Sequence, residues 1–270
     1  MSLRASVVVL ALVGSACGAA SASSTTTPVP EEATTTTSTT TTDAPTRTTS
    51  STTAAPTTTS TPNPNETLMA MAHPSIQSLV AYDEPDGEPI AMPFRVPNPH
   101  QFGGPLTLMI TEGARDDDWV KVQLPIRPNG QEAWIPTDEY LIRSTLVRAE
   151  VSLSETSVKV FDDGQLIAES QAAIGTERTP TPLGTFYVAA KRRNPPAEWY
   201  LGSWALVLSG YSETLETFAG GLPVIAIHGT TDPDGELGHS LSNGCVRVPN
   251  DVIQFLAEHV PLGAPVIVTA

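Results

Sequence analysis

The chain has 270 residues, of which 29 are Asp or Glu and 14 are Lys or Arg, so its formal net charge is −15. This excess of carboxylates excludes nucleic acid as a partner, because phosphate binding needs a basic surface. Two cysteines are too few for a disulfide scaffold.

The first residues have the pattern of an export signal. One positive charge, Arg4, precedes the apolar run Val7–Val13, and small residues follow. The apolar run is too short to span a bilayer, so we predict a signal peptide over residues 1–22 and an exported protein.

Two processing routes are open for this signal. Val13–Cys17 is similar to a bacterial lipobox, in which Cys17 is lipidated and becomes the new N-terminus. Ordinary cleavage after Ala20-Ser21-Ala22 is the alternative. Lipidation would hold the protein at the outer face of the cytoplasmic membrane, facing the cell wall, with the lipid as its only membrane contact.

Residues 23–72 are predicted to be a disordered linker. Most of this segment is Thr, Ser, Pro and Ala, with long threonine runs. Such a composition buries too little apolar surface to offset the entropy of ordering. We therefore expect an extended stalk.

Residues 73–144 predict a small β-barrel. Short apolar runs with alternating polarity are separated by Gly and Pro, as in Trp119–Leu124 and Ala133–Pro136 around a turn at Pro128-Asn129-Gly130. The order of these segments resembles a bacterial Src-homology-3-like domain. Its role is either to bind the wall or another protein, or to act as a spacer.

Residues 145–270 also predict a β-rich domain, which makes the chain mainly β. Asp162-Asp163-Gly164-Gln165 between alternating segments indicates a hairpin. One C-terminal helix is predicted, with Asn250 as its cap and an apolar stripe that runs from Val252 to Val260. A last strand follows at Val266–Val268.

Cys245 is the best candidate for a nucleophile. It lies in Ser242-Asn243-Gly244-Cys245-Val246-Arg247, and Cys17 is lipidated or removed, so Cys245 has no intramolecular partner. A thiol titrates near 8.5, so a neighbouring imidazole must help to form the thiolate. His228, in Ile227-His228-Gly229-Thr230, is the natural general base, and His239 is the alternative.

The turn before the cysteine is a candidate oxyanion site. The successive backbone N–H groups of the turn Ser242-Asn243-Gly244-Cys245 could converge on one point, and Gly229 lets the backbone approach the His228 ring. A weaker interpretation makes His228, His239 and Cys245 ligands of a metal, but no Cys-x-x-Cys or His-x-x-x-His pair supports it. We therefore expect no metal.

Three landmarks occur together: Thr181-Pro182-Leu183-Gly184-Thr185-Phe186, Ile227-His228-Gly229-Thr230 and Ser242–Arg247. Their order resembles the L,D-transpeptidase (YkuD-like) catalytic domain, and the resemblance covers about residues 146–270. The family often has His or Lys before the Gly-Cys pair, whereas this chain has Asn243, which can only form hydrogen bonds.

This resemblance implies a peptidoglycan enzyme that needs no cofactor. Cys245 would attack a donor stem peptide, form an acyl-enzyme, and transfer the acyl group to a neighbouring stem peptide. Arg247, Thr230 and His239 would contact the substrate, although Arg247 could instead serve a buried structural acceptor. Carbapenem β-lactams are the implied inhibitors, and the implied process is the organisation of the cell wall and of cell shape.

Two alternatives belong to the same wall context. The chain could be an inactive peptidoglycan-binding protein, although the intact Cys245 and His228 argue against that. It could also be a hydrolase that trims stem peptides, because water and an amine attack the same acyl-enzyme.

Overall fold

A computed structural model describes residues 63–270. The predicted signal peptide, Cys17 and residues 23–62 of the predicted linker lie outside the described residues. Within residues 63–270, no helix is both long and apolar enough to cross a membrane.

The first part of the described chain is a five-stranded antiparallel sheet with the strand order β4-β3-β2-β1-β5. Alternating residues of these strands are fully buried, as Val120 and Val122 are on β3. The strands are β1 (Thr67–Ala72), β2 (Thr107–Glu112), β3 (Trp119–Gln123), β4 (Glu132–Pro136) and β5 (Tyr140–Thr145).

The predicted boundary of this barrel-like unit at residue 73 was wrong. Strand β1 (Thr67–Ala72) lies inside the sheet, where Met69 pairs with Met109 on one side and with Arg143 on the other. Met69 and Ala70 are buried in it. The Thr/Pro-rich composition ends before these residues. Burial of their apolar side chains stabilises the strand, which a disordered linker would not allow.

The rest of the chain forms an eight-stranded mixed sheet with the order β14-β12-β11-β10-β15-β6-β7-β8, beside a two-stranded pair of β9 and β13. Its strands are β6 (Val147–Ser152), β7 (Ser157–Asp162), β8 (Gln165–Gln171), β9 (Ile174–Gly175), β10 (Gly184–Arg193), β11 (Trp204–Tyr211), β12 (Val224–Gly229), β13 (Ser240–Ser242), β14 (Val246–Val248) and β15 (Pro265–Thr269). The predicted hairpin joins β7 to β8, with Asp163 and Gly164 both at positive φ.

Two α-helices accompany the sheet, where the sequence predicted one. A four-residue turn of helix, α1 (Pro233–Glu236), precedes β13, and the predicted C-terminal helix is α2 (Asn250–His259). Ile253 and Leu256 of α2 are buried in the sheet's core. Asn250 does not cap α2, because its side-chain amide bonds two other segments instead.

Strand β10 joins the two sheets into one packed unit. Phe186 and Val188 lie in the core of the eight-stranded sheet, whereas Tyr187 and Ala189 lie in the core of the five-stranded sheet. Successive residues of a strand point to opposite faces, so one strand serves both cores. The barrel-like sheet is therefore built onto the second sheet.

Candidate active site

His228 lies on β12, and Cys245 directly precedes β14, the parallel strand beside it. Ile227 of β12 pairs with Val246 of β14, and both side chains are buried in the core. Because side chains alternate along a strand, His228 and Cys245 both point to the opposite face of the sheet, as does Arg247. The topology thus brings together the two residues that the sequence selected for catalysis.

A backbone carbonyl favours one tautomer of His228. The Nδ1 atom lies 2.7 Å from the carbonyl oxygen of Gly229. Since that oxygen can only accept, the contact favours the tautomer with the proton on Nδ1 and the lone pair on Nε2. The ring is only 5% exposed. Burial lowers its pKa from the usual value, which keeps the imidazole neutral and able to accept a proton.

The thiol of Cys245 is protonated at rest. Burial raises the pKa of Cys245, and it outweighs two opposing effects, a backbone hydrogen bond from Ala226 and the charge of Arg247. Both members of the pair are therefore neutral before reaction. The proton moves from sulfur to Nε2 as the nucleophile attacks, rather than in the resting protein.

Ser242 locks the turn that presents the cysteine. Its hydroxyl accepts from the Gly244 N–H at 3.1 Å and donates to the carbonyl of Cys245. Gly244 has φ +108°, and a Cβ there would meet the Ile225 side chain at 2.9 Å. Only glycine fits this position without strain.

The predicted oxyanion role of Gly244 was wrong, because its N–H is already bonded to the Ser242 hydroxyl. The backbone N–H groups of Asn243 and Cys245 donate to none of the residues that the structure describes. They remain the N–H groups of this turn that can stabilise an oxyanion. Asn243 itself is exposed.

The loop that leads into the Thr-Pro-x-Gly landmark holds this turn by hydrogen bonds. The Ser242 carbonyl accepts from the Thr176 N–H and from the Thr179 hydroxyl, both at 3.1 Å. The Thr181 hydroxyl accepts from the Gly175 N–H at 2.9 Å. Sequence reasoning missed Thr179, which has no distinguishing neighbour in the chain.

Arg247 is paired inside the protein. Its guanidinium bonds the carboxylate of Glu236, and the same carboxylate accepts from the Thr230 hydroxyl. Glu236 is thus the structural acceptor of both Arg247 and Thr230, while Arg247 Nε is buried and has no partner among residues 63–270. Glu236 was missed because it lies in an acidic loop that predicted only a solvated surface.

Gly229 allows a close approach, but to a different partner from the one predicted. A Cβ at Gly229 would lie 2.3 Å from Asn250 Oδ1 and 2.9 Å from Gly202 Cα. The Asn250 amide accepts from the Ser203 N–H at 3.0 Å and donates to the Thr230 carbonyl at 2.9 Å. Asn250 therefore fixes the backbone that follows His228.

His239 does not join the catalytic pair. Its side chain is exposed, and its backbone bonds Ile174 and Glu236. Across residues 63–270, no three His, Cys, Asp or Glu side chains are grouped as metal ligands. A cysteine, a histidine and a backbone carbonyl that orients the histidine are the groups that acyl transfer through a cysteine nucleophile requires.

Comparison with known proteins shows which family the second sheet is similar to. The L,D-transpeptidase catalytic domain (YkuD) matches residues 147–268. The YkuD protein of Bacillus licheniformis is 30% identical over 122 residues, which cover 45% of this chain and 65% of that protein. The YkuD protein of Bacillus subtilis is 29% identical over 141 residues, 52% of this chain and 75% of that protein.

A solved L,D-transpeptidase from Mycobacterium tuberculosis H37Rv is 15% identical, with a TM-score of 0.41, and the match covers 75% of this chain and 98% of that one. This chain spans about two thirds of the length of the Bacillus licheniformis relative.

Proposed function

We propose that this chain is a peptidoglycan L,D-transpeptidase. The observation that carries the proposal is the hydrogen bond from His228 Nδ1 to the Gly229 carbonyl, which leaves Nε2 as a base on the face of the sheet that Cys245 shares. The L,D-transpeptidase domain match supplies the substrate class.

The first half-reaction forms an acyl-enzyme. The Cys245 sulfur attacks the carbonyl that joins an L-centre to the terminal D-alanine of a donor tetrapeptide, while His228 Nε2 takes the thiol proton. The N–H groups of Asn243 and Cys245 stabilise the oxyanion. The tetrahedral intermediate then expels D-alanine, whose amine receives the proton from His228.

The second half-reaction forms the cross-link. The side-chain amine of a diamino acid on a neighbouring strand attacks the thioester and gives its proton to His228. The thiolate leaves and recovers that proton, which completes the cycle. Water in place of the amine would give a trimmed stem peptide instead.

The sequence outside the described residues supports a location for this reaction. The export pattern of residues 1–22 and the Cys17 lipobox would place the protein at the outer face of the cytoplasmic membrane. The five-stranded sheet would stay packed against the eight-stranded sheet, because β10 contributes to the cores of both.

The purified chain incubated with a disaccharide tetrapeptide tests the function. We expect product masses of a cross-linked dimer with loss of one D-alanine, no product with Cys245→Ala, and a loss of at least about a hundredfold with His228→Ala. His239→Ala is the matched control and should cost far less. Turnover by Cys245→Ala, or the reverse ranking of the histidines, would refute the mechanism.

A further inference from the structure

A cavity of about 550 Å³ lies beside the end of β12, the strand that carries His228. Its wall includes Gly202, which packs against Gly229: a Cβ at Gly202 would lie 2.5 Å from Gly229 Cα. Asn250, which also lines the cavity, bonds the Thr230 carbonyl. The cavity wall therefore packs against Gly229, the residue that follows His228 in the chain. The acyl-transfer steps proposed above assign no role to this cavity.

An exposed aromatic residue forms one side of this cavity. Trp199 is 66% exposed, although an indole gains more than most side chains from burial. It follows Pro195 and Pro196, which also line the cavity and restrict the backbone. A large aromatic face held open to solvent beside a cavity is typical of a binding surface.

Polar groups line the remaining wall. Asn194 Oδ1 and Ser203 Oγ are buried and have no hydrogen-bond partner among residues 63–270. Asp251 and Gln254 of α2 are exposed on the same wall. These two atoms lie beneath the surface, so the polar groups that this wall presents to a ligand are those of Asp251 and Gln254.

The charge of the wall decides between ligand classes. Of the nine residues around the cavity, Asp251 is the one acidic residue and none is Lys or Arg. A stem peptide carries a carboxylate that would be repelled by Asp251 and would find no cation. A neutral sugar offers hydroxyl and amide groups to the polar wall, and its C–H face can lie against the Trp199 indole.

We propose that this cavity is a saccharide subsite that holds the glycan strand to which the donor peptide is attached. The ligand class is an oligosaccharide of N-acetylated amino sugars, with one ring stacked on Trp199 and its polar groups bonded to Asp251 and Gln254. The choice of amino sugar rests on the proposed function.

Binding of the β-1,4-linked tetrasaccharide of N-acetylglucosamine to the purified chain tests the subsite by isothermal titration calorimetry. We expect binding by the unaltered protein, at least about tenfold weaker binding by Trp199→Ala, and retention by Trp199→Tyr. Phe218→Ala, which removes another exposed aromatic side chain, is the control and should bind as the unaltered protein does. No binding, or equal binding by Trp199→Ala, would overturn the proposal.

A kinetic comparison links the subsite to the reaction. The ratio of kcat/KM for a disaccharide tetrapeptide to that for the free tetrapeptide should be about tenfold and should fall to about one in Trp199→Ala. An equal loss on both substrates would assign Trp199 to peptide binding and refute the saccharide subsite. Tetrasaccharide binding without turnover of either peptide would refute the proposed function and leave the subsite standing.

Discussion

At the scale of residues, the site works by keeping two neutral groups next to each other until substrate arrives. Burial lowers the pKa of His228 and raises that of Cys245. Both shifts favour the uncharged pair, because desolvation penalises whichever form is charged. The Gly229 carbonyl replaces the third side chain that such sites often use to orient the histidine.

This arrangement predicts the acidic limb of the pH profile. The reaction needs neutral His228. Because the pKa of His228 is lowered from 6.5, the neutral form stays populated until the pH falls to that lowered pKa. The rate constant for acylation should therefore lose half its value at a pH below 6.5. Stopped-flow measurement with a carbapenem checks this, and a midpoint above 6.5 would mean that a charged pair is the resting state.

Glu236 gives a second prediction at this scale. The negative charge of Glu236 raises the pKa of His228, whereas the positive charge of Arg247 lowers it. Glu236 also forms the ion pair with Arg247. Glu236→Gln should therefore move the acidic limb to still lower pH. It should also destabilise the fold by about 1–3 kcal/mol, since the half-buried Arg247 loses its ion pair. Asp234→Asn, an exposed change in the same helix, is the control and should alter neither quantity. An unchanged limb in Glu236→Gln would contradict this account.

At the scale of elements, the two sheets are held by side chains that reach across to backbone. The Asn129 amide accepts from the Tyr211 N–H at 2.9 Å and donates to the Tyr211 carbonyl at 2.8 Å. Gln123 donates to the Thr185 carbonyl at 2.7 Å. The two Asn129 bonds are made at the end of the irregular stretch of β11 between Val207 and Tyr211, where the ladder with β12 shifts register.

Asn129→Ala should therefore lower the free energy of unfolding by about 2 kcal/mol, because it leaves two backbone groups of Tyr211 without partners. Glu132→Ala, an exposed change on β4, should cost far less.

Chemical denaturation of residues 63–270 should show a single transition, because Tyr187 and Ala189 of β10 belong to the core of the five-stranded sheet. Two separate transitions would show that the sheets are independent domains.

Sequence patterns predicted the mainly β architecture and the β7–β8 hairpin, and they selected Cys245 and His228 as candidates, because each depends on local periodicity or on a rare residue in a distinctive setting. They did not give Glu236, Asn250 or Thr179, whose partners lie far along the chain or across a turn. The same reason explains the Arg247 prediction. A sequence displays a guanidinium, but it does not display the carboxylate that the fold brings to it.

At the scale of the whole molecule, we consider how far from the membrane the folded residues 63–270 could act; this distance is called the reach. Residues 23–62 are rich in Thr, Ser and Pro. If Cys17 is lipidated, Cys17→Ser should release the protein from the membrane fraction or block its processing. Shortening the Thr-rich segment should leave activity on soluble substrate unchanged and reduce cross-linking in intact cells. Equal cross-linking after deletion would show that the segment does not set reach.

The most direct test of the central claim, a Cys245 nucleophile activated by His228, is the intact mass of the protein after incubation with a carbapenem. The strained carbonyl imitates the donor amide, so the unaltered chain should gain the mass of one carbapenem, located at Cys245 by peptide mapping. Cys245→Ala should gain none, and His228→Ala should gain it at least about a hundredfold more slowly. An adduct that persists in Cys245→Ala, or no adduct on the unaltered chain, would contradict the account.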